Sequence, residues 1–186
     1  MKKITLLIPM LIIAFFSLPL SAQEDDNISE FHRLLIFNAK GQLMVVKIKN
    51  TNFWVTPGLY SKNPELTNHH LVQLAKEYGL TVSKPNLQGV FLLKNEQAKT
   101  VSNRSFFKVN IIEGEIKKPQ NIDTIKWLPA NEAKEIITFP HINILLQQII
   151  DFPDKVWGGS ILRYKEDGEF KAKMIKDFYS LYEHKI

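Results

Sequence analysis

The segment from Trp54-Val55-Thr56-Pro57-Gly58 to Glu77-Tyr78-Gly79-Leu80 decides the fold of this chain. Between its ends, four apolar residues recur at offsets of 0, 3, 4 and 7, namely Leu71, Leu74, Ala75 and Tyr78. This spacing places all four on one face of a helix, so we predict a helix over residues 65–78 with Gly79 as its C-terminal cap. A short strand over residues 53–55 precedes it and is stopped by Pro57 and Gly58.

The sequence on both sides of this segment is typical of strands and helices in alternation. Apolar-rich runs at 31–37 and 43–48 flank a turn at residues 38–41, which predicts a β-hairpin. Further strands are predicted at 90–93, 106–112 and 124–128. One helix is predicted to begin near Asn131, and another to cover 142–150. This irregular alternation predicts a mixed sheet in an α/β or α+β sandwich.

The last part of the chain contains Trp157-Gly158-Gly159 and a second apolar pattern. We interpret the two glycines as a tight turn before a strand at 160–164. The pattern that follows predicts an amphipathic helix with one apolar face, formed by Phe170, Met174, Phe178 and Leu181.

The central segment resembles the Nudix box, which runs G-x5-E-x7-R-E-U-x-E-E-x-G-U with U a bulky aliphatic residue. Gly58 and Gly79 stand at its glycines, and Leu74 and Leu80 at its aliphatic positions. The Trp-x-x-Pro-Gly run ending at Gly58 is also similar to the family. The resemblance covers residues 31–150 and implies an α/β fold, a Nudix-type α/β/α sandwich with a mixed sheet. To this the C-terminal strand and helix would be an extension.

The resemblance implies a metal site that this sequence carries only in part. In the family, glutamates on the box helix bind Mg²⁺ or Mn²⁺, which polarises a pyrophosphate and activates water. Glu77 keeps the last of these positions, and Glu65 lies one place after the first. The other matching positions hold Pro64, Val72, Gln73 and Lys76. Because a lysine ammonium repels a divalent cation, we predict that the usual metal site is absent, leaving Glu77 and Glu65 as ligands only in a rearranged site.

Three interpretations of this helix face remain open. On one face of the helix lie three polar residues at offsets of 0, 3 and 7, namely His70, Gln73 and Glu77. Together with His69 they form either a substitute metal site or a solvated polar face. Alternatively, Lys76 replaces the charge of the metal and holds a phosphate directly. In the third interpretation nothing reacts here, and the fold serves binding or assembly. The candidate catalytic residue is Glu77, and the candidate ligand-binding residues are Lys76, Gln73, His70, Trp54 and Gly58.

Other aromatic and acidic residues have simpler interpretations. Phe53, Trp54 and Tyr60 can stack on a planar ligand, but large aromatics at strand ends are more often part of the core. A base outside the box helix would come from the nearest loop carboxylates, which we interpret as surface residues: Glu113, Glu115, Glu132 and Glu135.

Composition narrows the class of protein. The chain has 186 residues, is 45% hydrophobic and 23% charged, and contains no cysteine, which excludes disulfides and thiolate chemistry. Its formal net charge of +5 includes Lys2 and Lys3. No basic stripe interleaved with aromatics is present, so we expect no nucleic-acid partner, whereas a phosphate-bearing small molecule is compatible with this charge.

The N-terminus has the three regions of a secretory signal peptide. Met1-Lys2-Lys3 is basic, residues 4–20 are almost wholly apolar, and Leu20-Ser21-Ala22 offers a cleavage site. We therefore predict a signal peptide at 1–22, a short linker at 23–30, a Nudix-like domain at 31–150 and a packed C-terminal extension at 151–186. The mature protein would be periplasmic or secreted by a bacterium, with no membrane span after removal of the signal.

Two functions follow from the sequence. The first is an exported Nudix-fold protein with a degenerate site, which binds a ligand or a protein partner with little or no metal-dependent hydrolysis. The alternative is a divergent Nudix hydrolase that cleaves a nucleoside-diphosphate-linked or related pyrophosphate compound with Mg²⁺ or Mn²⁺. No cofactor is certain in the first case, and the substrate class of the second rests on the resemblance alone.

Overall fold

The computed structural model describes residues 29–61 and 67–183, which form ten strands and three helices. The predicted signal peptide and Glu65 lie outside the described residues. In chain order the elements are β1 (Ser29–Phe37), β2 (Leu43–Ile48), β3 (Trp54–Val55), β4 (Gly58–Tyr60), α1 (Thr67–Glu77), β5 (Leu80–Val82), β6 (Asn86–Asn95), β7 (Thr100–Gly114), β8 (Ile122–Leu128), α2 (Ala130–Ile136), α3 (Pro140–Asp151), β9 (Lys155–Glu166) and β10 (Glu169–Glu183).

The strands form a mixed sheet in the order β10-β9-β6-β7-β1-β2-β3. In addition, β4 pairs with β1, β5 with β7 and β8 with β2. The pairs β1–β7 and β6–β9 are parallel, while β1–β2, β6–β7 and β9–β10 are antiparallel. The predicted α/β fold with a mixed sheet is therefore confirmed.

The β1–β2 hairpin opens as it leaves its turn, and this opening creates two wings. Residue pairing between β1 and β2 is recorded at the turn end, where Phe37 is opposite Leu43. Further on, β1 pairs with β7 and β4, whereas β2 pairs with β3 and β8. We call the sheet of β1, β4, β7, β6, β9 and β10 the β1 wing, and the sheet of β2, β3 and β8 the β2 wing.

The helix α1 follows its predicted apolar face, since Leu71, Leu74 and Ala75 are buried. It ends before Gly79, which has a φ of +77°, a backbone conformation that glycine adopts without a steric penalty. A Cβ atom on Gly79 would also collide with the carbonyl oxygen of Glu115. The predicted cap is confirmed, and it brings the end of α1 against the end of β7.

The predicted C-terminal helix is wrong, because residues 169–183 form the strand β10. Phe170, Ala172 and Met174 are half-buried and alternate with exposed residues, which is the period of a strand. A spacing of four residues fits either a helix or a strand, so Phe170, Met174 and Phe178 did not discriminate between them. The fourth residue of the predicted face, Leu181, is 50% exposed. Residues 155–183 therefore form a β-hairpin whose strand β9 pairs with β6.

The predicted tight turn at Gly158-Gly159 is also wrong, because both glycines lie inside β9. A Cβ atom on Gly158 would stand 2.5 Å from the ring of Tyr179, and one on Gly159 would stand 3.0 Å from Met174. These glycines are needed because side chains of β10 pack directly on the backbone of β9.

Two short strands, β4 and β5, were not predicted from the sequence. Among the described residues, no helix has the length and the apolar character needed to cross a membrane.

Candidate functional site

A cavity of about 630 Å³ lies between the two wings. Its lining includes Phe31 and Arg33 from β1, Arg104 from β7 and Arg163 from β9. On the β2 wing it is lined by Val46 and Ile48, and the end of α1 contributes Glu77. The opening of the hairpin is thus what leaves room for a ligand.

Strand register brings the polar side chains of the β1 wing onto one face. Phe31 of β1 is opposite Arg104 of β7, and Asn95 of β6 is opposite Arg163 of β9. Arg33 lies two residues beyond Phe31, so it has the same orientation. Three guanidinium groups therefore converge on one cavity from three different strands.

Arg33 is the most buried of the three, with 8% of its surface exposed. Its Nη1 donates hydrogen bonds to the backbone oxygen of Thr56 at 2.9 Å and to Thr56 Oγ1 at 3.2 Å. Its Cζ lies 5.0 Å from the ring centre of Phe31. Burial, reinforced by the guanidinium of Arg104, lowers the pKa of Arg33 to about 9, so the side chain is still charged at neutral pH.

The other two arginines also lie against aromatic rings, and Arg104 has a short polar contact in addition. Arg104 Cζ lies 4.9 Å from the ring centre of Phe31 and 5.7 Å from that of Tyr60, and its Nε donates to Ser102 Oγ at 3.0 Å. Arg163 Cζ lies 5.7 Å from the ring centre of Phe139. Burial lowers the pKa of both arginines, with the contact to Tyr60 partly opposing this for Arg104. Cation–π contact fixes the positive charges without neutralising them.

His141, the second residue of α3, adds a neutral group to this cluster. It is 5% exposed, and its ring centre lies 5.7 Å from that of Phe139. Burial, followed by the charges of Arg33, Arg163 and Arg104, lowers the pKa of His141 to about 2. At neutral pH the imidazole is therefore uncharged, and it can donate one hydrogen bond and accept another.

Several buried polar atoms of the cavity have no hydrogen-bond partner within the described part of the chain. They are Asn95 Oδ1, His141 Nδ1 and Arg163 Nε. Buried polar atoms are nearly always satisfied in folded proteins, so three such atoms in one cavity indicate the position of a ligand or of water.

Negative charge is scarce around these arginines. Among the described residues that line the cavity, Glu77 is the one carboxylate, and it is exposed at the end of α1. The two ion pairs recorded among the described residues, His32–Glu30 and Lys47–Asp123, involve none of the arginines. Uncompensated buried positive charge is costly, and a bound anion would offset that cost.

The structure places the residues predicted from the sequence in different surroundings. Glu77 and Gly58 line the cavity. Gln73 and Lys76 are exposed on α1, and His70 lies near His32, whose pKa it helps to lower after burial, the larger cause. Trp54 packs on the core with Lys126 Nζ 4.8 Å from its ring centre. These four do not line the cavity, and the predicted loop carboxylates Glu113, Glu115, Glu132 and Glu135 are exposed.

Tyr60 corrects the interpretation of the aromatic residues as core, because it is 55% exposed and lines the cavity. Sequence reasoning also missed the three arginines. The sequence feature that could have indicated them is the rarity of arginine, because only three of the 24 lysine and arginine residues of the chain are arginine. All three lie in strands and in this one cavity, while every other basic residue is lysine.

Comparison with solved structures identifies this architecture. A MutT protein from Bacillus halodurans superposes with a TM-score of 0.62 at 19% identity, covering 80% of this chain and 98% of the other. The chain has the Nudix fold. A NUDIX hydrolase from Nitrosomonas europaea gives a TM-score of 0.55 at 14% identity over 67% of this chain and 71% of the other. An Ap4A hydrolase from C. elegans gives a TM-score of 0.52 at 15% identity, covering 66% of this chain and 97% of the other. No sequence-family model matches the chain, and no curated protein is similar to it in sequence.

Among the described residues, the donors on the box helix α1 do not fit the divalent metal that the fold implies, because Glu77 is their one carboxylate. Within residues 29–61 and 67–183, no group of three or more histidine, cysteine, aspartate or glutamate side chains is placed to hold a metal ion. Hard cations require several oxygen ligands, and α1 presents Gln73, Lys76 and Glu77 where the box has glutamates. The cavity instead presents fixed positive charge from the protein itself.

Proposed function

We propose that this Nudix-fold protein binds a phosphate-bearing small molecule as a free anion, with little or no metal-dependent hydrolysis. The observation that carries the proposal is the convergence of Arg33, Arg104 and Arg163 on one cavity, where no carboxylate of residues 29–61 or 67–183 forms an ion pair with them. The proposal also places the mature protein, from Gln23 onward, outside the cytoplasm, which rests on the predicted signal peptide.

The chemistry of arginine supports a phosphate rather than a single small anion such as chloride. A guanidinium presents several N–H donors in a planar fork that matches the oxygens of a phosphate. Three guanidinium groups supply more donors than a monatomic anion can accept. At a separation of 4 Å and an effective dielectric constant near 20, one such charge pair is worth about 4 kcal/mol. Neutral His141 adds a hydrogen bond without changing the charge.

The Nudix helix supports a binding function over the usual hydrolysis. A metal would have to be held near the phosphate by oxygen ligands, and Glu77 is the one carboxylate supplied by the described lining. Lys76 and Gln73 stand on the same helix without acidic neighbours in its first turn. In this proposal the arginines supply the charge that a metal supplies elsewhere in the family.

Two measurements on the mature protein test the proposal. In the first, titration calorimetry with inorganic pyrophosphate in EDTA should show saturable binding that added Mg²⁺ does not strengthen. In the second, phosphate release from pyrophosphate and nucleoside-diphosphate compounds with Mg²⁺ or Mn²⁺ should stay at the background of a buffer control. Binding that requires metal, together with release above background, would contradict the proposal.

One observation favours the alternative of a divergent hydrolase, since Glu77 does line the cavity. The fold neighbours include a protein named as an Ap4A hydrolase, so a nucleoside polyphosphate is a reasonable substrate for that test. If hydrolysis is found, Glu77→Gln should abolish it while leaving binding of the anion in EDTA intact. Unchanged hydrolysis in Glu77→Gln would exclude this carboxylate as a metal ligand.

A further inference from the structure

The aromatic rings of the cavity are engaged by the protein itself. The ring centre of Phe31 lies about equally far from the guanidinium carbons of Arg33 and Arg104, at 5.0 and 4.9 Å. Phe139 contacts Arg163, and its ring centre lies 5.0 Å from that of Phe53 and 4.9 Å from that of Phe170. These rings therefore position the arginines, and their faces are largely used for that purpose.

The opposite side of the cavity is aliphatic. Ile48 of β2 is opposite Ile122 of β8 in the register of the β2 wing, and both line the cavity together with Val46. From α1, Leu74 adds a further branched side chain to the lining. A group lying against these residues gains mainly from contact between apolar surfaces, and the polar side chains beside them in the lining include Asn121 and Glu77.

We propose that the ligand is a phosphate ester of an aliphatic alcohol. Its phosphate would lie among Arg33, Arg104 and Arg163, and its hydrocarbon chain against Val46, Ile48 and Ile122. This inference rests on the proposed function and adds the class of the organic group. A nucleotide is the weaker fit, because Phe31 and Phe139 already hold arginines. Tyr60 is 55% exposed, but its ring lies edge-to-face with Phe31 at 4.8 Å and 5.7 Å from Arg104 Cζ.

The test is a series of alkyl phosphates measured by titration calorimetry in EDTA. The probes are inorganic phosphate, ethyl, butyl and hexyl phosphate, with AMP for comparison. Affinity should rise about threefold to fourfold for each methylene that becomes buried, up to the length that fills the cavity. Hexyl phosphate should therefore bind at least tenfold more tightly than ethyl phosphate and more tightly than AMP. A flat series, or AMP as the tightest ligand, would overturn the inference.

A pair of variants separates the two halves of the cavity. Ile48→Ser should remove the dependence of affinity on chain length, because it replaces part of the aliphatic side of the cavity with a polar group. Ile112→Ser is the matched control, because Ile112 is 67% exposed on β7 and does not line the cavity, and this variant should behave as wild type. An unchanged chain-length dependence in folded Ile48→Ser would place the hydrocarbon chain elsewhere and overturn the inference.

The same chemistry occurs in a soluble ester and in a lipid headgroup, and sedimentation with vesicles distinguishes these sources. Vesicles of phosphatidylcholine with and without phosphatidic acid would be compared with soluble hexyl phosphate. Binding of either source more tightly than inorganic phosphate supports the inference. If inorganic phosphate binds but neither source binds more tightly, the inference fails while the proposed function stands. If no phosphate compound binds at all, both fail.

Discussion

Replacing Arg33 with methionine should make the ligand-free protein more stable. Because burial lowers the pKa of Arg33 from 12.5 to about 9, keeping its guanidinium charged at neutral pH costs the folded protein about 5 kcal/mol relative to the uncharged form, and methionine carries no charge. The substitution also removes the two hydrogen bonds to Thr56 and leaves its carbonyl oxygen unpaired, which costs about 3 kcal/mol. The net expectation for Arg33→Met is a gain of about 2 kcal/mol in the free energy of unfolding.

Urea unfolding at pH 7 in a phosphate-free buffer measures this change. Lys40→Met is the matched control, because Lys40 is exposed in the β1–β2 turn and its substitution should change stability by less than about 0.5 kcal/mol. Adding pyrophosphate should stabilise the wild type and leave Arg33→Met nearly unaffected, since ligand binding to the folded state alone raises stability. A loss of more than about 1 kcal/mol in Arg33→Met, with an unchanged control, would mean that this arginine serves the fold rather than a ligand.

The linkage between pH and stability provides a second expectation. The pKa of His141 is about 2 in the folded chain and 6.5 when unfolded, so falling pH adds protons to the unfolded state first. In urea unfolding, the free energy of unfolding of the wild type should therefore fall by about 1.4 kcal/mol per pH unit below 6.5. The loss should be smaller in His141→Leu. Gly58→Ala should weaken pyrophosphate binding in calorimetry, because its Cβ would press to 2.5 Å on the Phe31 ring that holds two arginines; unchanged affinity would contradict this. Gly79→Ala should lower the free energy of unfolding in urea by more than about 2 kcal/mol, because its Cβ would collide with the carbonyl oxygen of Glu115. Gly168 has a similar φ of +82° but no heavy atom within 4 Å of the added Cβ, so Gly168→Ala should cost about 1 kcal/mol. Equal losses would refute the packing argument.

The sequence predicted the parts of the fold that depend on local periodicity. The face of α1 and the cap at Gly79 follow from a helical repeat and a glycine that tolerates positive φ. The β1–β2 hairpin follows from two apolar runs around a turn. The C-terminal strand β10 was missed because Phe170, Met174 and Phe178 are spaced by four, which is compatible with both periods.

The candidate site was predicted less well, because its residues converge through long-range strand pairing. Arg33, Arg104 and Arg163 lie far apart in the chain, and register alone places them on one face. The glutamate pattern of the box predicted ligand-binding residues on α1, where Glu77 lines the cavity and Lys76 does not. The composition offered a clue to these positions. Where arginine is rare and lysine abundant, an arginine indicates a position that uses the several N–H donors of a planar guanidinium group.

We propose that the arginines, and not the Nudix helix, hold the ligand. The most direct test is titration calorimetry with pyrophosphate in EDTA on wild type, Arg104→Met and Glu77→Gln. We expect Arg104→Met to lose at least tenfold in affinity, which is about 1.4 kcal/mol, and Glu77→Gln to bind as tightly as wild type or slightly more so. Full binding in Arg104→Met together with loss of binding in Glu77→Gln would contradict the claim.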